Sequence, residues 1–161
     1  MSDALVIGLR GDIPFEEAES YFRSKGCRAV IVDPSCVCGR DHALSAVLHA
    51  ERAFRENRNR SKELSSEIIL YLLCERQISK AFERARPVGD CMVAIIPDPQ
   101  GISLDDIPME RDDSLFGATR EKAAMLGADM SCGIGPEDAA MEAVAFVDLM
   151  KQRSQSAECQ Q

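Results

Sequence analysis

Cysteine and histidine come closest together in Cys36-Val37-Cys38-Gly39-Arg40-Asp41-His42, which puts two thiols and an imidazole in a loop that enters a helix. Two chemistries suit that grouping. Zinc takes four nitrogen or sulfur ligands in a tetrahedron, but no second cysteine pair stands at finger spacing and Cys91 and Cys132 lie far along the chain. The ligand set is incomplete, so neither a metal nor another cofactor is expected. Alternatively, Cys38 near a helix N-terminus would have its thiolate favoured by the dipole, with His42 one turn on as its base. Nothing supplies the third group that would orient the imidazole. The simpler reading makes the cysteines a mobile pair of reduced thiols and His42 a first-turn residue that bonds a neighbouring loop or faces a ligand.

A second grouping is cationic. Arg76, Lys80 and Arg84 recur every four residues, which stacks them along one helix face, with Arg86 just beyond. Such a face can follow a phosphate backbone, although Glu75 and Glu83 would also lace it with ordinary ion pairs. A further basic set, Arg52, Arg55, Arg58, Arg60 and Lys62, is diluted by Glu51, Glu56 and Glu63. The carboxylates Asp105, Asp106, Glu110, Asp112 and Asp113 read as a solvated charge run. Gly8, Gly11 and Gly39 stand outside any phosphate-loop spacing. Missing catalytic equipment favours binding or assembly over chemistry.

The chain that positions these groups has 161 residues, 45% hydrophobic and 29% charged, enough for one domain with a sizeable core. No apolar run approaches the ~18 residues of a membrane span, the longest being the seven at 68–74. With an acidic N-terminus that lacks a signal core and seven cysteines, an odd number, a cytoplasmic protein with reduced thiols is expected. The net charge of −8 repels polyanions at long range, but it divides unevenly: −2 over residues 1–50, +2 over 51–90 and −8 over 91–161. Any phosphate contact belongs in the middle segment.

Periodicity predicts strands at 4–9, 28–33 and 92–96, the second apolar on both faces and therefore central. Helices are predicted from Pro14 to Lys25, from Asp41 as cap to about 54, from about Leu64 through an all-apolar centre and on to Arg84, from Thr119 to Leu126, and from Pro136 to about Gln152. Asp112-Asp113 is read as preceding a short edge strand through Leu115-Phe116. The polar stretch 154–161 reads as a disordered tail, leaving 1–153 as one α+β domain with a small, mostly antiparallel central sheet packed with several helices. In the last helix Ala143-Val144-Ala145-Phe146-Val147 covers more than a full turn with apolar groups. One face can meet the core while another is left for a protein partner; Val144, Val147 and Asp148 are the candidate partner residues.

The segment Glu67-Ile68-Ile69-Leu70-Tyr71-Leu72-Leu73-Cys74-Glu75-Arg76-Gln77-Ile78-Ser79-Lys80-Ala81 resembles the signature of the small kinase-binding subunit of the KEOPS complex, the TPRKB-like family. Leu9-Arg10-Gly11, His42 with Ala43 and Ala46, the strand at 92–96, Ile134 and the stretch 145–149 agree with it, so the resemblance spans about residues 4 to 152. It implies a non-catalytic subunit of the machinery that installs threonylcarbamoyladenosine on tRNA. The implied partners are the complex's atypical kinase/ATPase subunit and, as in archaeal-type members, the single-stranded 3′ CCA end of tRNA. On this chain the implied tail site is Arg76, Gln77 and Ile78, with Lys80 and His42. A single-stranded tail needs cations for phosphates and flat groups for bases, and an Arg guanidinium serves as either. Family members commonly carry a Ser-Gly pair before this element, where Leu73-Cys74 stands here, so the two flanking helices are either continuous or joined by a shifted turn. A generic interaction domain, and a small thiol enzyme using Cys38 and His42, are the alternatives.

Overall fold

The computed structural model describes residues 3–158, with side chains up to Lys151 and at Arg153. In chain order the elements are β1 (Leu5–Arg10), α1 (Phe15–Ser24), β2 (Val30–Val32), α2 (Arg40–Arg55), α3 (Leu64–Leu72), α4 (Ile78–Ala85), β3 (Cys91–Ile96), β4 (Glu110–Arg111), α5 (Arg120–Met125) and α6 (Pro136–Glu158). Short 3-10 turns cover Pro34–Cys36 and Asp113–Phe116. The sheet runs β2-β3-β1-β4 with every pair antiparallel, which makes the chain an α+β domain.

Side chains alternate across the sheet, as a period of two requires. Val6, Val30, Val32, Val93 and Ile95 face α2, α3 and α6, while Ile7, Leu9, Ile31, Met92, Ala94 and Ile96 face α1 through Ala18 and Phe22. Each fully buried aliphatic or aromatic side chain contributes about 1.5–3 kcal/mol, so two cores clamp one sheet. Double coverage also explains why β2 reads as central. All three of its residues are buried, yet it pairs only with β3 and is an edge strand.

The other edge departs from expectation as well. β4 precedes Asp112, and the Asp113–Phe116 stretch is a 3-10 turn rather than a strand. The Asp112 N–H donates to the Gly8 carbonyl at 2.9 Å, and the Gly8 N–H donates to Asp113 Oδ1 at 3.1 Å. A Cβ on Gly8 would overlap the Asp112 carbonyl, so glycine at mid-strand is what admits this turn.

Helix α2 begins at Arg40, one residue before the expected cap, because Gly39 at φ 102° turns the chain there. Glu137 Oε2 from the first turn of α6 accepts the Asp41 N–H at 3.1 Å. Helix α6 starts at Pro136 as expected but runs to Glu158, beyond the expected end near Gln152. Residues 159–161 of the expected tail lie outside the described residues. No helix among those described is long and apolar enough to cross a membrane.

Candidate functional site

Helix α3 is buried on every side from Glu67 to Leu72, and it ends there instead of continuing through Arg76. The ending is a Schellman arrangement: the Glu75 N–H donates to the Leu70 carbonyl at 3.0 Å and the Cys74 N–H to that of Tyr71 at 3.1 Å. Cys74 takes the left-handed conformation, φ 52°, that glycine would ordinarily supply. Glu75 Oε1 then accepts the N–H groups of Arg76 (2.9 Å) and Gln77 (3.3 Å), which holds its carboxyl below the usual range. This turn projects Arg76 and Gln77 into solvent and starts α4, on which Ile78 is 41% exposed and Lys80 fully on the surface.

The cations of this face are not equivalent. Arg84 Nη2 donates to the Met125 carbonyl at 3.1 Å, and Arg86 pairs with Glu16 at 3.0 Å. Arg76 and Lys80 carry no ion pair among the described residues, so their charge is available to a ligand.

His42 sits just behind the turn and is fully buried. Its Nδ1 accepts the Cys38 N–H at 3.0 Å and its Nε2 lies 3.0 Å from the Leu72 carbonyl, which can only accept, so Nε2 carries the proton. Burial pushes its pKa down to about 4, and Lys122 acts in the same direction against the Leu72 hydrogen bond. No atom of His42 is open to a phosphate or a base. Its role is positional, tying the start of α2 to the last turn of α3.

The same geometry disposes of a Cys38–His42 pair. Both ring nitrogens are occupied by backbone groups, and the Cys38 thiol is buried against the carbonyls of Thr119 and Pro136 at 3.6 Å each, with its pKa raised by burial. Cys36, also buried, has its thiol pushed up to about 11 by desolvation. Neither sulfur is a thiolate at neutral pH.

On α6 the candidate partner residues separate. Val144 is fully buried and Asp148 is 2% exposed, so both belong to the core. Asp148 is a hub: Arg58 Nη1 (2.7 Å) and the Tyr71 hydroxyl (2.9 Å) meet Oδ1, and His49 Nδ1 (2.8 Å) meets Oδ2. Burial pushes the Asp148 carboxyl up, but these hydrogen bonds outweigh it and hold it below the usual carboxylate range. One turn on, Lys151 Nζ donates to Glu67 Oε1 at 2.6 Å and lies 3.9 Å from the Tyr71 ring centre. Val147, half-buried, does face outward into a groove of about 840 Å³ between α6, the end of α5 and the α3–α4 turn. Phe146, 61% exposed, and Leu149 also line it, and Cys74 and Arg76 form the opposite wall.

Sequence periodicity missed the two ends of this arrangement. Phe146 belongs to the expected apolar stretch 143–147 without being among its candidate partner residues, and Leu149 lies two positions beyond it; both are exposed because α6 uses its Val144-Asp148-Lys151 face, spaced four and three, to reach the core. The signal available was the charge of Asp148 and Lys151 on a helix that packs against Glu67, just ahead of the apolar run at 68–74.

An α+β domain whose last helix presents an apolar groove beside an exposed arginine turn has the build of a binding subunit. Comparison with family models gives a match to kinase binding protein CGI-121 over residues 16–96. The chain belongs to this family, as its resemblance to the TPRKB-like subunits implied. No curated protein matches it.

Proposed function

We propose that this chain is a non-catalytic subunit of the KEOPS machinery for threonylcarbamoyladenosine modification of tRNA, acting in the cytoplasm. It docks on the complex's atypical kinase/ATPase subunit through the α6 groove and holds the 3′ CCA end of tRNA beside Arg76. The observation that carries the reading is the adjacency of Arg76, without an ion pair among the described residues, to an exposed apolar groove, in a chain of a kinase-binding family. Phe146, Leu149 and Val147 supply the apolar contact a protein partner needs, and Arg76, Gln77, Ile78 and Lys80 supply cations, an amide and an apolar platform for a short single strand.

The test is a titration with intact tRNA and with tRNA lacking its 3′ CCA, run beside co-purification with the kinase subunit. Arg76→Glu weakens tRNA binding about tenfold or more, the cost of reversing one phosphate contact, with the thermal transition unchanged. Phe146→Glu abolishes kinase co-purification and also leaves the protein folded. Equal affinity for the two tRNAs sinks the tail site, and a Phe146→Glu protein that still brings down the kinase sinks the groove.

A further inference from the structure

The directions of the main-chain groups across the sheet follow from one strand. Both polar groups of Gly8 are used on the β4 side, so alternation turns those of Ile7 and Leu9 toward β3. Ile7 faces Ala94, whose groups are therefore spent on β1, and Ala94 in turn faces Ile31. The Ile31 N–H and C=O consequently point away from the sheet, over the free edge of β2. Asp33, two residues on, agrees: its N–H points the same way and is taken by the Ala85 carbonyl at 2.7 Å. Among the described residues no such partner meets Ile31, although the residue is only 5% exposed. The low exposure belongs to the side chain, which packs into the α1 core, and the outward-facing backbone pair is the unused hydrogen-bonding capacity of a free sheet edge.

These groups open into a second cleft of about 200 Å³. Its walls are Phe15 of α1 on one face of the sheet, and Ile69 and Phe82 of α3 and α4 on the other, with Ala29 and Ile31 as its floor and Arg86 at the rim. Phe82 is 44% exposed and its neighbour one turn back, Ile78, is exposed too, so the apolar lining continues onto the surface of α4. The Arg86 guanidinium stacks over the Phe15 ring, 5.7 Å from its centre, and keeps the ring at the mouth of the cleft.

We propose that the free edge of β2 takes a short extended peptide segment from a partner protein as a fifth strand. The hydrogen-bonding requirement specifies the occupant. A backbone N–H and C=O directed outward in one plane are matched by the main chain of another strand, and the apolar walls above and below the sheet receive its alternate side chains. The Asp33–Ala85 bond closes the ladder at one end, so the added strand pairs with Ile31 and Ala29 and spans only three or four residues, about the length of a minimal strand. It is apolar at alternate positions and is not proline opposite Ile31. This site shares no lining residue with the α6 groove and does not depend on the proposed function.

The experiment uses the full chain and a phage-displayed library of random linear octapeptides, followed by titration of the selected peptides into 15N-labelled protein. Selected peptides have alternating apolar residues, and on binding they slow amide exchange at Ile31 and Ala29 by about tenfold or more. Binding weakens about tenfold or more in Phe82→Asp, whose side chain is surface-exposed and whose replacement leaves the fold intact, and in peptides N-methylated at the central residue. Peptides that bind without protecting Ile31, or that tolerate N-methylation, overturn the proposal, as does a panning that yields no Phe82-dependent binder. A concentration-dependent dimer abolished by Ala29→Pro assigns the edge to a second copy of this chain and overturns it equally.

Discussion

His42 is neutral in the fold because both of its nitrogens are committed to backbone groups and burial penalises the charged ring. Its pKa is pushed down to about 4, whereas an unfolded chain titrates near 6.5. Between those values the unfolded state binds a proton that the folded state does not, so stability rises with pH through the window. The contribution is complete above pH 6.5 and is lost as pH falls toward 4, amounting to about 3 kcal/mol at 1.36 kcal/mol per pH unit. Carboxylates titrate in the same range, so the measurement is a difference: urea unfolding of the natural chain and of His42→Gln from pH 7 to pH 4. The gap between them shrinks by that amount on acidification; a constant gap would show an imidazole that solvent reaches. The sequence already allowed that His42 bonds a neighbouring loop. Its burial was not legible, because that depends on where α3 ends, thirty residues away.

At the scale of elements, the α3–α4 turn decides where Arg76 points, and the residue that makes it is Cys74 in a left-handed conformation. A side chain there costs roughly 1 kcal/mol relative to glycine. The thiol recovers a little of this through its 3.7 Å contact with the Tyr71 carbonyl. Cys74→Gly therefore stabilises the protein by about 0.5–1 kcal/mol, while Cys74→Val, branched at Cβ, destabilises it by about 1–2 kcal/mol. Thermal melts of the two variants separate these outcomes, and tRNA affinity is unchanged in Cys74→Gly because the turn keeps its shape. Loss of stability in the glycine variant would mean that the thiol's packing outweighs the backbone cost. The unbroken run at 68–74 gave no hint of this stop, since Leu73-Cys74 carries none of the residues that mark a helix end. The same limit misplaced β2: three buried apolar residues look alike on a central strand and on an edge covered on both faces. Where composition and position coincided, as in Gly135-Pro136-Glu137-Asp138 opening α6, the element was legible.

For the whole molecule, the net charge of −8 opposes any long-range attraction to RNA, and only residues 51–90 are net positive. Within that segment Arg84 and Arg86 are already engaged, which leaves Arg76 and Lys80 as the cations of the α4 face without an ion pair among the described residues. In the proposed function a single-stranded tail is held through two or three phosphates, which releases few counterions, and the salt slope for single strands is about −0.7 per phosphate neutralised. A plot of log K against log salt for tRNA therefore has a slope of about −1.5 to −2. Replacing Arg76 by Ala reduces its magnitude by about 0.7, and a tRNA without its CCA end loses the salt-dependent component altogether. A slope of −4 or steeper would require cations this face does not hold. It would direct attention to Arg55 on α2, with Arg52 released from its ion pair with Glu56, where a duplex arm rather than the single-stranded end would be the ligand.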